Sequence, residues 1–128
     1  MNKILLVEDD ELESRMYQRI FSQEGFEIVA IENGESCHQK ALDIQPDIIL
    51  LDVMMPKMNG FETLDILEMD PITKKIPVII FTNLSDPKYA EESLRRGAVK
   101  FIIKSQFENK QLIQIINDII NLYKKPTI

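Results

Sequence analysis

Residues 47–60 read DIILLDVMMPKMNG, an apolar run that ends on one acid and then turns. Ile48, Ile49, Leu50 and Leu51 leave no polar alternation, so this segment is a strand covered on both faces, as in a parallel sheet between helix layers. Asp52 follows at once. A carboxylate just past the C-terminal end of a central parallel strand stands in the crevice where open α/β sheets place their chemistry. Met55-Pro56 and Asn59-Gly60 are turn signals that hold the next loop over Asp52 before a helix begins at Gly60.

Outward from this stretch the pattern repeats on both sides. Lys3–Val7 is a buried strand followed by the acids Glu8, Asp9 and Asp10. Asp10 and Glu13 have the spacing of a capping box for a helix over Glu11–Gln23, with Leu12, Met16, Ile20 and Phe21 at helical spacing and Gly25 ending it. Phe26–Ile31 is a second strand, and Asn33-Gly34 leads into a helix through Ala41 and Leu42 towards Pro46. Gly60–Met69 is a helix broken by Asp70-Pro71. Pro77–Phe81 is a fourth strand ending at Thr82 and Asn83. Asp86-Pro87 caps a helix to Arg96 that stops at Gly97. Lys100–Ile103 is a fifth, less apolar strand suited to a sheet edge, and it ends in Lys104. The last helix, Asn109–Tyr123, carries an apolar arc wide enough for part of it to stay exposed.

Five strand-helix units with short connections predict an α/β fold, a three-layer α/β/α sandwich with right-handed crossovers. The 128 residues are one domain's worth. Hydrophobic residues make up 45% and charged residues 28% of the chain, the composition of a folded soluble protein. A net charge of -6 argues against nucleic acid as a direct partner. The single cysteine, Cys37, rules out an internal disulfide and reads as a small helix residue. No apolar run approaches about 18 residues, so no membrane segment is expected and the cytoplasm is the default location.

Each candidate residue sits at a strand's C-terminal end: Glu8 and Asp9 after the first, Asp52 after the third, Thr82 after the fourth and Lys104 after the fifth. Taken singly they are loop acids, a strand-end hydroxyl and a surface lysine. Together, in a parallel sheet, they open on one edge. Crowded carboxylates repel unless a cation joins them, and an all-oxygen donor set favours a hard ion, Mg2+ first. Such a metal, with a lysine and a hydroxyl, suits an incoming phosphoryl group. His38 reads as a surface-helix residue, since no acid converges on it in the sequence. Met54, Met55 and Met58 read as pocket-rim packing.

The stretches ILLVEDD, PDIILLDVMMPKMNGFE, PVIIFT and FIIK, in this order, resemble the receiver domain of bacterial two-component response regulators, and the resemblance covers the whole chain, residues 1–128. It implies a flavodoxin-like five-stranded parallel sheet of order 2-1-3-4-5. It implies that Asp52 is the phosphoacceptor, taking a phosphoryl group from a sensor histidine kinase or phosphotransfer protein. Mg2+ would be held by Asp9, Asp52 and the Met54 carbonyl, with Glu8 acting through water or more loosely. Thr82 and Lys104 would bind the phosphoryl group, Phe101 would be the switch aromatic that turns inward with Thr82, and Pro56 and Gly60 would shape the pocket. The altered surface would be helix 4, strand 5 and helix 5, read by a downstream effector protein or a fused output domain.

Departures from the family pattern set further expectations. Ser105 follows Lys104 where receivers usually have proline, so this peptide is either a costly cis bond or a different loop path. Asn83 stands where a small residue is common and narrows the route to Asp52. Residues 97–101, GAVKF, lack the acidic pair common in winged-helix regulators, although the last helix leaves room for a homodimer or partner docking. The tail YKKPTI reads as a natural end or the start of a linker. Two other functions compete. A small Mg-dependent aspartyl phosphohydrolase shares this chemistry but would want a second acid where Met54 stands, and a receiver-like interaction module would not need an intact pocket.

Overall fold

The computed structural model describes residues 1–124; the end of the 123–128 tail lies outside them. Five strands, β1 (Lys3–Val7), β2 (Glu27–Ile31), β3 (Ile48–Leu51), β4 (Val78–Thr82) and β5 (Lys100–Ile103), alternate with helices α1 (Glu11–Gln23), α2 (Cys37–Ile44), α3 (Gly60–Met69), α4 (Pro87–Arg95) and α5 (Asn109–Tyr123). The strands form one parallel sheet of order β2-β1-β3-β4-β5.

The apolar run of β3 is explained by its place at the centre of the sheet. Ile48 and Leu50 point into one core with Ile4, Leu6, Ile79, Phe81 and Ile102, covered by Tyr17 and Phe21 of α1 and by Leu112, Ile116 and Ile120 of α5. Ile49 and Leu51 point the other way, onto Leu5, Val7, Val78 and Ile80, covered by Cys37 and Ala41 of α2 and by Leu64 and Leu67 of α3. Successive strand residues alternate faces, so four residues buried on two faces need four apolar side chains. Each contributes about 1.5–3 kcal/mol through burial. The outer strands β2 and β5 are less buried, as the sequence of β5 suggested.

Two readings of α1 change. Leu12 and Met16 are 79% and 47% exposed, and the buried stripe is Ser14, Tyr17 and Phe21, with Ile20 half-buried. Tyr17 earns its place by packing edge-on against Phe81 at 4.8 Å between ring centroids. The capping box is half formed. Asp10 accepts from the Glu13 backbone N–H, but the Asp10 N–H donates to Glu8 Oε2 and the Glu13 side chain points elsewhere. The full reciprocal box occurs at the start of α3, between Asn59 and Glu62.

His38 also departs from expectation. Its Nε2 lies 2.8 Å from Asp70 Oδ2, which ties α2 to the end of α3, two elements brought together from 32 positions apart. Cys37 is fully buried, and burial pushes its thiol up to about 12, in keeping with an inert packing residue. Leu122 and Tyr123 at the end of α5 stay exposed, the unburied part of its wide apolar arc.

Gly60 begins α3 directly against the β3 terminus. A Cβ there would sit 2.4 Å from the Asp52 carbonyl oxygen and 2.8 Å from Val53 Cα, both backbone atoms, and the Gly60 N–H donates to the Val53 carbonyl. Gly60→Ala therefore pushes the Asp52 loop off its helix. We expect a loss of about 2 kcal/mol, read as a lower urea midpoint with an unchanged slope.

Candidate functional site

Register places the acids. Val7 pairs with Leu51, and the Asp52 N–H donates to the Val7 carbonyl, so Glu8 and Asp52 leave adjacent strand ends side by side. Lys104 arrives from the far edge of the sheet. After β5 the chain enters a short 3-10 turn over Lys104–Gln106, and no peptide bond is cis among the described residues, so Ser105 takes the different loop path. The lysine side chain, 3% exposed, then runs inward past β4 to the acids, its ammonium 5.4 Å from the centroid of the Phe81 ring.

Three carboxylates meet that ammonium. Lys104 Nζ donates to Asp52 Oδ2 at 2.9 Å, to Glu13 Oε1 at 3.3 Å and, in a short contact, to Glu8 Oε1. Asp52 Oδ1 accepts from the Met54 N–H at 3.0 Å. Both Asp52 oxygens are thus held, and the carboxylate is almost wholly buried.

Burial dominates the electrostatics of Glu8. Desolvation raises its carboxyl to about 7, although the hydrogen bonds from Lys104 and the Asp10 N–H pull in the opposite direction. For Lys104, burial disfavours the charge, but hydrogen bonding and attraction from Glu8 and Asp52 outweigh it and hold the ammonium above the ordinary lysine range. Glu8 thus moves up through burial, and Lys104 moves up through the acids that hold it.

The remaining predicted residues surround this cluster. Thr82 is fully buried at the end of β4, its Oγ1 accepting from the Leu84 N–H at 3.4 Å. Asn83 is exposed beside it, and Phe101 is half-buried on β5. Asp9 is exposed and lines a cleft with Glu32, Asn33, Glu35, Pro56 and Lys57, so it faces the loop that follows Asp52. Met54 is exposed and Met55 buried; both line an open apolar groove with Pro56, Phe61, Leu84 and Tyr89, which agrees with rim packing.

Among the described residues no three Asp, Glu, His or Cys side chains are grouped as a ready metal site. Glu8 is engaged by Lys104 and Asp10. Of the expected donors Asp9 lines the cleft, while the Asp52 oxygens are engaged by Lys104 and the Met54 N–H; Asp9, Asp52 and the Met54 carbonyl would together be an all-oxygen set, the chemistry that fits a hard divalent ion.

Sequence reasoning missed Glu13, which it assigned to the helix cap. The signal was available: Glu13, Tyr17 and Phe21 are spaced by four, so an acid heads the buried stripe of α1. It also assigned Glu8 to the metal through water or more loosely; here the Glu8 carboxylate accepts from Lys104 and from the Asp10 N–H.

Comparison with known proteins gives one consistent result. The family described as "Response regulator receiver domain" matches residues 4–117. The regulatory protein AtoC of Escherichia coli is 36% identical over 81% of this chain and 22% of its own length. The transcriptional regulatory protein CpxR of the same organism is 36% identical over 94% of this chain and 50% of its own length. The chain thus spans half or less of these two relatives. The signal receiver domain of a signal transduction histidine kinase from Syntrophus aciditrophicus superposes with a TM-score of 0.88 at 30% identity, covering 99% of this chain and 96% of that one.

Proposed function

Since this chain belongs to the response regulator receiver family, whose members are signalling phosphoacceptors of two-component systems, we propose that Asp52 is the residue that accepts the phosphoryl group. The observation that carries this reading is the pairing of a buried strand-end carboxylate with a buried lysine from the opposite side of the sheet, 52 positions away. A structural ion pair does not require two further acids on the same ammonium, an arrangement that costs stability and suits charge chemistry.

An Asp52 carboxylate oxygen attacks the phosphorus of a phosphohistidine on a sensor kinase or phosphotransfer protein. The oxygen-phosphorus bond forms as the phosphorus-nitrogen bond breaks, and the electron pair returns to the imidazole nitrogen. Mg2+, typical of this family, would be held by Asp9, Asp52 and the Met54 carbonyl, and when bound it offsets charge on the transferring group. Lys104 pairs with a phosphoryl oxygen and Thr82 donates its hydroxyl proton to another. Asp52 thereby exchanges one negative charge for nearly two, with added acceptor oxygens. Meeting them draws Thr82 and its loop inward, and half-buried Phe101 follows into the vacated space. The surface of α4, β5 and α5 changes as a result, and an effector or output domain reads it. Water attacking the phosphorus releases inorganic phosphate and restores the carboxylate.

Intact mass after incubation with Mg2+ and acetyl phosphate tests this reading, with phosphorylated kinase as a second donor. We expect one added phosphate that does not form when the metal is chelated beforehand. Turnover of an external phosphoester without a protein adduct supports the hydrolase instead. Asn83 is exposed next to Thr82, and if its amide narrows the approach to Asp52, Asn83→Ala should label with acetyl phosphate about two- to fivefold faster. Equal rates remove that steric role.

A further inference from the structure

Resting on the phosphoacceptor reading of Asp52, we propose that Glu13 is a positioning residue for phosphotransfer, holding the outer side of the Lys104 ammonium until an arriving phosphoryl group displaces it. An ammonium has three N–H donors. Glu8, Asp52 and Glu13 take all three, and the Phe81 ring lies against the same group. A phosphoryl oxygen can therefore bind Lys104 only if one carboxylate lets go.

Geometry selects Glu13. Glu8 is 2% exposed, and its release would leave a buried carboxylate without its cation. Asp52 carries the phosphoryl group itself. Glu13 makes the longest of the three contacts, 3.3 Å, and its side chain is 33% exposed, so its release returns the carboxylate to water. Nor is Glu13 held by helix capping, because Glu8 Oε2 already accepts from the Asp10 N–H that a capping glutamate would bind. Its carboxylate reaches 91 positions along the chain to Lys104 instead. Glu13 and the phosphoryl group thus compete for one donor, and phosphorylation frees a charge in the first turn of α1.

Two variants separate this competition from a general field effect. Glu13→Gln removes the charge, whereas Glu13→Asp keeps it but shortens the side chain by one methylene, enough to lose the lysine. With thermal midpoints confirming folded proteins, acetyl phosphate with Mg2+ should label both variants about two- to fivefold faster than wild type, the equivalent of a partly exposed ion pair. Wild-type rates in Glu13→Asp, or no gain in Glu13→Gln, overturn the proposal alone. No adduct on wild type with either acetyl phosphate or phosphorylated kinase overturns the phosphoacceptor reading and this proposal with it.

Discussion

Replacing Lys104 with methionine should cost about 3 kcal/mol of stability around pH 8 and roughly half of that around pH 5, measured by urea unfolding without divalent metal. Methionine fills the aliphatic track of the lysine but supplies no donor. Glu8 and Asp52 are then left buried with only backbone N–H partners, Asp10 for one and Met54 for the other. The pH dependence follows from Glu8. Its folded carboxyl stands near 7 against an ordinary 4.5, so the stability it contributes is fully present below the ordinary value and is lost as pH rises through about 7. Deleting Lys104 removes the hydrogen bond and the attraction that restrain this shift, so the variant's Glu8 holds its proton to higher pH. The deficit is smaller where Glu8 is protonated in both proteins and larger where only the wild type ionises it. An equal loss at both pH values would show that Lys104 acts through packing alone.

Asp52→Asn should abolish the phosphate adduct and, in the same protein, raise the free energy of unfolding by roughly 1 kcal/mol around pH 8. Asparagine keeps the shape, and its one carbonyl oxygen can accept from the Met54 N–H while Lys104 stays held by Glu8 and Glu13. It removes one of the three carboxylates on a single ammonium, and with it the repulsion that contributes to the raised Glu8 carboxyl. Loss of labelling without loss of stability separates a chemical role from a structural one. A variant that loses both would mean that the carboxylate is needed to hold the strand ends together.

The central strand and its acid were legible because burial on two faces leaves a pattern that little else imitates. Ile48 to Leu51 allow no alternative, and register then fixes Asp52 beside Glu8. The turn at Asn59-Gly60 was legible for a similar reason, since a helix that starts in contact with the Asp52 carbonyl has no room for a Cβ. The partners of charged side chains were not legible. Glu13 reads as a cap in sequence because local spacing is visible and a lysine 91 positions away is not. Asp70 and His38 meet for the same reason, through tertiary packing of α2 on the end of α3. Helix α1 misled in the other direction. Leu12 and Met16 have the right spacing for a core face, but that face is exposed, and the stripe through Tyr17 won because its ring fits against Phe81.

The phosphoacceptor role of Asp52 is tested by trapping the acyl phosphate on the full chain with borohydride after labelling by acetyl phosphate and Mg2+, then locating the reduced residue by peptide mass spectrometry. Reduction is expected at Asp52 alone. Reduction at Asp9 or Glu8 with Asp52 intact, or a phosphate on His38 that resists borohydride, would contradict it.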